Sequence, residues 1–156
     1  DGTNVLIFGA TGVGKTFLAT AIGNHVCRCG RTVMFMKMNL LLEKLALARA
    51  EGSYLNLLKR ISATDLLIVD DFGIKALTEQ QFQDFYDVLG ERESGKSTIV
   101  TTQLPAENWN EVIQDALVCE AISDRLTAQA IKLNVKGPSK RGERKKSLTD
   151  EEVHGN

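Results

Sequence analysis

Short apolar runs alternate with stretches of three- and four-residue periodicity along this chain, and the alternation predicts strands and helices in turn. Val5-Leu6-Ile7-Phe8 is wholly apolar, as a strand buried on both faces should be. From Thr16 to Cys29, Leu18, Ile22, Val26 and Cys29 recur on one helical face, and Gly30 is placed to end the helix. Thr32 to Met38 reads as the second strand. Asn39 is expected to cap a helix that runs to about Ala50, where Gly52-Ser53 breaks it. Tyr54 to Ile61 reads as a short helix with Leu55, Leu58 and Ile61 inward. Leu66 to Asp71 is a third strand, and Glu79 to Glu93 a helix with Phe82, Phe85, Tyr86 and Leu89 on one face. That aromatic face could stack bases, but the spacing favours core packing.

Ser97 to Thr102 is rich in β-branched residues and predicts the fourth strand. Asn108 or Asn110 is expected to cap a helix carrying Trp109, Val112 and Ile113 into the core. Cys119 to Ala130 predicts a last helix, with Ile122, Leu126 and Ala130 inward and Arg125 on another face. Ile131, Leu133 and Val135 alternate as a fifth strand, and Gly137-Pro138 ends regular structure. Five strands alternating with helices give a three-layer α/β sandwich around a parallel sheet.

The first strand runs into Gly9-Ala10-Thr11-Gly12-Val13-Gly14-Lys15-Thr16, which fits G-x-x-x-x-G-K-[ST] without mismatch. Glycines let backbone N–H groups close around phosphates, and the following helix offers its positive end to the same anion. Lys15 is expected to serve the β- and γ-phosphates, and Thr16 to give a hydroxyl to Mg²⁺. Phe17, directly after Thr16, is counted with residues 9–16 in the expected nucleotide-binding set. The third strand ends in Asp70-Asp71, at the edge of the sheet where parallel α/β folds bind ligands. Asp70 is suited to hold the metal and Asp71 to polarise a water. Gln103, just past the fourth strand, is the first choice for a polar contact to the γ-phosphate or that water, and Thr102 the second. These residues call for a nucleoside triphosphate and Mg²⁺, and the spacing stops at a P-loop NTPase.

The net charge of −1 gives no global sign of a nucleic-acid partner. Its distribution does: Lys132, Lys136, Lys140, Arg141, Arg144, Lys145 and Lys146 crowd the end of the chain against Glu143 alone. They read either as contacts to DNA phosphates or nucleotide, or as a solvated terminus. Cys27, Cys29 and Cys119 form no disulfide framework and suggest a reducing, cytoplasmic setting. His25, Cys27 and Cys29 lack zinc-ligand spacing and are expected to be small buried thiols on a helix. No apolar run reaches membrane-spanning length.

Leu66 to Leu77 followed by Thr78-Glu79-Gln80-Gln81 resembles the IstB-type transposition helper ATPases, as do Ser97 to Pro105 and Ala121 to Leu126. Those helpers are cousins of the DnaC helicase loaders in the initiator branch of AAA+ ATPases. The resemblance implies an AAA+ P-loop fold with strand order 5-1-4-3-2 and no helical lid. It implies an ATPase core over residues 1–141, a basic disordered tail over 142–156, and an upstream domain absent from this chain. Arg125 matches the arginine finger that reaches a neighbouring subunit's γ-phosphate, against the alternative of a surface ion pair with Asp124 or Glu120. Gln103 matches the sensor-1 position, often Asn in relatives, and Arg141 the sensor-2 arginine. The implied biology is ATP-dependent assembly of a homo-oligomer on DNA that assists a transposase. A DnaC-type loader and a nucleotide-dependent module without turnover are the alternatives. Asp70-x-x-Gly73 also fits a GTPase motif, but no N-K-x-D guanine motif accompanies it.

Overall fold

A computed structural model describes residues 2–92 and 95–137. The strands are β1 (Val5–Phe8), β2 (Val33–Lys37), β3 (Leu66–Phe72), β4 (Ser97–Thr102) and β5 (Ile131–Asn134). The helices are α1 (Lys15–Arg28), α2 (Met38–Glu51), α3 (Tyr54–Ala63), α4 (Glu79–Glu91) and α5 (Ala116–Thr127), with a 3₁₀ turn at Ala106–Glu111. All pairings are parallel, and the order β2-β3-β4-β1-β5 is the expected 5-1-4-3-2 read from the opposite edge.

The side-chain alternation of β1, β3 and β4 builds two apolar layers. Ile7, Leu66, Ile68 and Ile99 face α1, where Ala19 is buried and Leu18, Ile22 and Val26 pack against them. Gly23 is the point of closest approach there, since a Cβ would lie 2.9 Å from the Ile68 side chain. Leu6, Leu67, Val69 and Val100 face the larger layer made by α2 to α5. Phe72 lies at its centre, stacked on Phe85 at 5.7 Å and edge-on to Trp109 at 5.0 Å. Phe82, Phe85 and Leu89 are thus core residues, not a stacking platform.

Several local expectations are corrected. α2 begins at Met38 directly after β2, with Lys37 in the cap position and no side-chain cap, so Asn39 lies inside the helix. The burial of Met38 carries the chain straight from strand to helix. The segment around Asn108 and Asn110 is a 3₁₀ turn, and Asn108 donates to Glu111 rather than capping a helix. α5 starts earlier, at Ala116, because Asp115 caps it by accepting from the Val118 N–H. It ends before Ala130, which packs on the core from outside the helix. Leu55 is exposed, since Leu58 and Ile61 alone supply the buried stripe of α3. Cys27 and Cys29 are exposed thiols on the outer side and C-terminus of α1, and only Cys119 is buried.

The edge of the sheet where the strands begin is tied by polar groups. Asp65, just before β3, accepts from the Thr32 N–H and hydroxyl, each at 3.0 Å, and from Lys96 at 3.3 Å. These donors hold its carboxyl at about 2, against the opposing effect of desolvation. Beside it, Arg92 is 3% exposed and donates to the carbonyls of Ile61, Thr64 and Ser97. Burial pulls its guanidinium down to about 10, with Asp65 opposing.

Because Asp65 has a depressed folded pKa, its contribution is present above the ordinary carboxyl value of 3.8 and is lost as pH falls towards 2. Asp65→Asn is therefore expected to melt below wild type at pH 6, with the gap narrowing between pH 4 and pH 2. Thermal unfolding followed by circular dichroism across that range checks it; a gap independent of pH would contradict the stabilisation of the Asp65 carboxylate by Thr32 and Lys96.

Candidate functional site

The glycine-rich loop leaves β1 at the edge where all five strands end. Gly9 donates its N–H to the Thr102 carbonyl at 3.2 Å. No larger residue fits at Gly9, because a Cβ would sit 2.6 Å from the Val135 carbonyl and 2.8 Å from the Val13 side chain. Gly12 and Gly14 adopt φ of 82° and 102°, the left-handed conformations that turn successive N–H groups towards one concavity. α1 starts there without a side-chain cap and without an acidic residue in its first turn. Its positive end therefore faces the cleft with no carboxylate from its own first turn to compensate it. The Lys15 ammonium, on a residue only 8% exposed, bridges the start of the loop by donating to the Gly9 carbonyl at 2.6 Å and the Ala10 carbonyl at 2.8 Å.

Opposite the loop, the end of β3 is irregular. Val69 pairs with Val100 and Phe72 with Thr102, so Asp70 and Asp71 together face the single residue Thr101. This is a β-bulge, and Asp71 occupies it with φ 62°. A regular strand would send two adjacent carboxylates to opposite faces. Instead Asp70 is buried, 1% exposed, against Thr16, and Asp71 lines the cleft itself. The Thr16 hydroxyl lies 3.0 Å from both oxygens of Asp70. Thr101 donates its hydroxyl to Asp70 and accepts the Asp71 N–H at 3.0 Å. One buried hydroxyl thus fixes both acids.

The cleft is about 470 Å³ and is lined by Thr11, Gly12, Gly14, Lys15, Thr16, Phe17, Asp71, Phe72, Ile74 and Gln103. Phe17 and Ile74 form an apolar rim, exposed by 77% and 64%. Gln103 reaches the loop, accepting from the Thr11 hydroxyl at 2.6 Å. Thr102, the second choice for a cleft contact, is fully buried and donates to the Phe72 carbonyl while accepting from the Leu104 N–H. It fastens the loop after β4 and has no access to the cleft.

Arg125 lies elsewhere. Its carbonyl accepts from Asn4, just before β1, so it sits at the edge where the strands begin. The four residues of β1 and the loop separate it from Lys15, on the order of 10 Å or more. Its guanidinium lies over the Tyr86 ring at 3.9 Å. Arg141, the boundary between 141 and 142, and any lid fall outside the described residues.

The donor set fits a hard cation and a polyphosphate. A hydroxyl and a carboxylate converge at Thr16 and Asp70, oxygen ligands of the kind Mg²⁺ shares with phosphates. Among the described residues, no group of three or more His, Cys, Asp or Glu side chains could form an all-protein metal cage. Thr101 escaped sequence reasoning, because a threonine within a β-branched strand looks like any other strand residue. The only available signal was its place one residue before the strand's end, beside two acids.

The parallel sheet of this order, the loop and the paired acids define an AAA+ P-loop fold. The chain belongs to the family of IstB-like ATP binding proteins, whose family model matches residues 1–148. It is 40% identical over 145 residues to an insertion sequence ATP-binding protein of Sinorhizobium fredii, covering 92% of this chain and 59% of that one. It is 33% identical over 138 residues to the insertion sequence IS21 ATP-binding protein of Pseudomonas aeruginosa, covering 88% and 52%. The chain therefore spans a little over half the length of these curated relatives. Among solved structures, the DnaC helicase loader superposes with a TM-score of 0.70 at 21% identity, over 86% of this chain and 78% of that one. The replication initiator DnaA bound to AMPPCP and single-stranded DNA superposes at 0.73 with 19% identity, over 95% and 45%. No described helix is long and apolar enough to cross a membrane.

Thr101→Val keeps the shape but removes the hydroxyl that serves both acids. It is expected to lower stability in urea by about 1–3 kcal/mol, since a buried carboxylate and an N–H lose their partner. Thr101→Ser should recover most of that loss; equal stability of the valine variant would contradict the role.

Proposed function

We propose that this chain is the ATP-hydrolysing core of a transposition helper that assembles on DNA and assists a transposase. The observation that carries the proposal is the division of the catalytic set between the two edges of the sheet. Lys15, Thr16, Asp70, Asp71 and Gln103 gather at one edge, while Arg125 sits at the other. A set divided in this way is completed by placing two copies so that one copy's Arg125 meets the other copy's cleft.

In this reading the N–H groups of residues 10–16 and the Lys15 ammonium hold the triphosphate. Thr16 and Asp70 would hold Mg²⁺, which would supply charge neutralisation to the triphosphate. Asp71, placed in the cleft by the bulge, accepts a proton from the attacking water. Gln103, tied to Thr11, keeps a polar amide beside that water. Arg125 of the adjoining copy neutralises charge developing on the transferred phosphoryl group. The exposed Lys132 and Lys136 begin the basic stretch that is proposed to contact DNA phosphates. The family's insertion-sequence members support a transposase as the partner.

Lys15→Ala is expected to abolish ATP affinity in a fluorescent-nucleotide titration; unchanged affinity would count against the phosphate role. Arg125→Ala should bind ATP normally and lose about 10³-fold or more in turnover. Mixed with Asp71→Asn, it should regain turnover, because each variant supplies what the other lacks. Absence of recovery at every mixing ratio would overturn the shared site. Phosphate release undetectable at any concentration of the full-length protein, with or without DNA, would favour an ATP-dependent module without turnover.

A further inference from the structure

We propose that Tyr86 and Gly90 of α4 form a holder that positions the Arg125 guanidinium for the neighbouring subunit. The inference rests on the proposed role of Arg125 at a shared site. Three observations on α4 and α5 carry it. Arg125 Nη1 donates to the Tyr86 carbonyl at 3.0 Å and Nη2 to the Tyr86 hydroxyl at 3.1 Å. The guanidinium carbon lies 3.9 Å from the centre of the Tyr86 ring, a cation–π contact. Gly90, one turn along α4, leaves the space that Nη1 fills, since a Cβ there would lie 2.7 Å from it.

Gly90 is otherwise hard to explain. It lies within α4, where glycine is the poorest choice after proline, and its φ is not in the left-handed region. Conformational freedom therefore does not account for it. Room for the guanidinium does. An arginine that acts on a neighbour's phosphate must present a planar group in one orientation, and a long free side chain would lose that order on every encounter. The Tyr86 ring, carbonyl and hydroxyl together hold the guanidinium, and the glycine gives clearance. Tyr86 and Gly90 are positioning residues. They touch neither nucleotide nor their own subunit's cleft, which opens at the opposite edge.

The test uses the full-length protein with DNA and reads ATP turnover at mixed interfaces. Tyr86→Leu and Gly90→Ala should each lower kcat by about 10–100-fold, with KM for ATP unchanged. Tyr86→Phe, which keeps the ring, should retain most of the activity. Each defective variant should recover turnover when mixed with Asp71→Asn, which supplies an intact Arg125 holder, and none when mixed with Arg125→Ala. Gly90→Ala guards against misfolding, because alanine favours the helix and only the flexible guanidinium must move.

If Arg125→Ala recovers with Asp71→Asn but the Tyr86 and Gly90 variants do not, the holder is refuted and the shared site stands. If Tyr86→Leu or Gly90→Ala turns over faster than wild type, the tyrosine stows the arginine and the positioning role is refuted. If even Arg125→Ala fails to recover, the shared site falls and takes the holder with it.

Discussion

A carboxylate buried beneath a phosphate-binding loop is the constraint to which the rest of this site answers. Asp70 is almost wholly removed from solvent and would be costly there without donors. Thr16 and Thr101 provide them, one from the first turn of α1 and one from β4. The loop, the third strand and the fourth strand are thereby locked to one another through a single side chain. The bulge follows from the same demand. With Asp70 turned down to meet Thr101, the next residue can reach the cleft only if the strand gains an extra position. Asp71 takes that position at φ 62°, a conformation that aspartate tolerates better than most side chains.

The framework was legible in the sequence because its signals are local. The five strand patterns, the glycine-rich loop and the acids near the end of β3 each announce themselves within eight residues or fewer. Strand order followed from the resemblance and was borne out. What failed were capping and facing assignments that depend on tertiary partners. Asn39 looked like a cap until the burial of Met38 carried the chain directly from β2 into α2. Leu55 looked inward by its spacing, yet α3 buries only Leu58 and Ile61. Thr102 and Thr101 could not be separated by type, and only the bulge decides which of them meets the acids. Cys27 and Cys29 were misread for a related reason: small size suggests burial, but α1 covers its sheet face with other residues.

The buried polar groups away from the cleft obey the same logic. Asp84 on α4 is 2% exposed and accepts from Arg49 of α2 at 2.8 Å and from Gln80 at 2.9 Å. Arg49 also lies over Tyr54, the first residue of α3, at 3.8 Å. Three helices are pinned together by one satisfied carboxylate, on a side of α4 other than the one that carries Tyr86. Removing Arg49 would leave the buried Asp84 carboxylate without its charged partner, which is more damaging than losing a surface pair.

A rigid α4 matters because it is the element nearest both halves of the proposed function. Phe85 packs on Phe72 at the end of β3, adjoining Asp71, while Tyr86, the very next residue, holds Arg125. One helix thus abuts the strand that presents Asp71, the proposed catalytic acid, and Arg125, the arginine proposed to serve a neighbour. A parallel sheet makes this division unavoidable. All strand ends share one edge and all strand starts the other, so a loop after β1 and a residue shortly before β5 cannot meet within one copy. Where chemistry needs both, the fold supplies them by repetition.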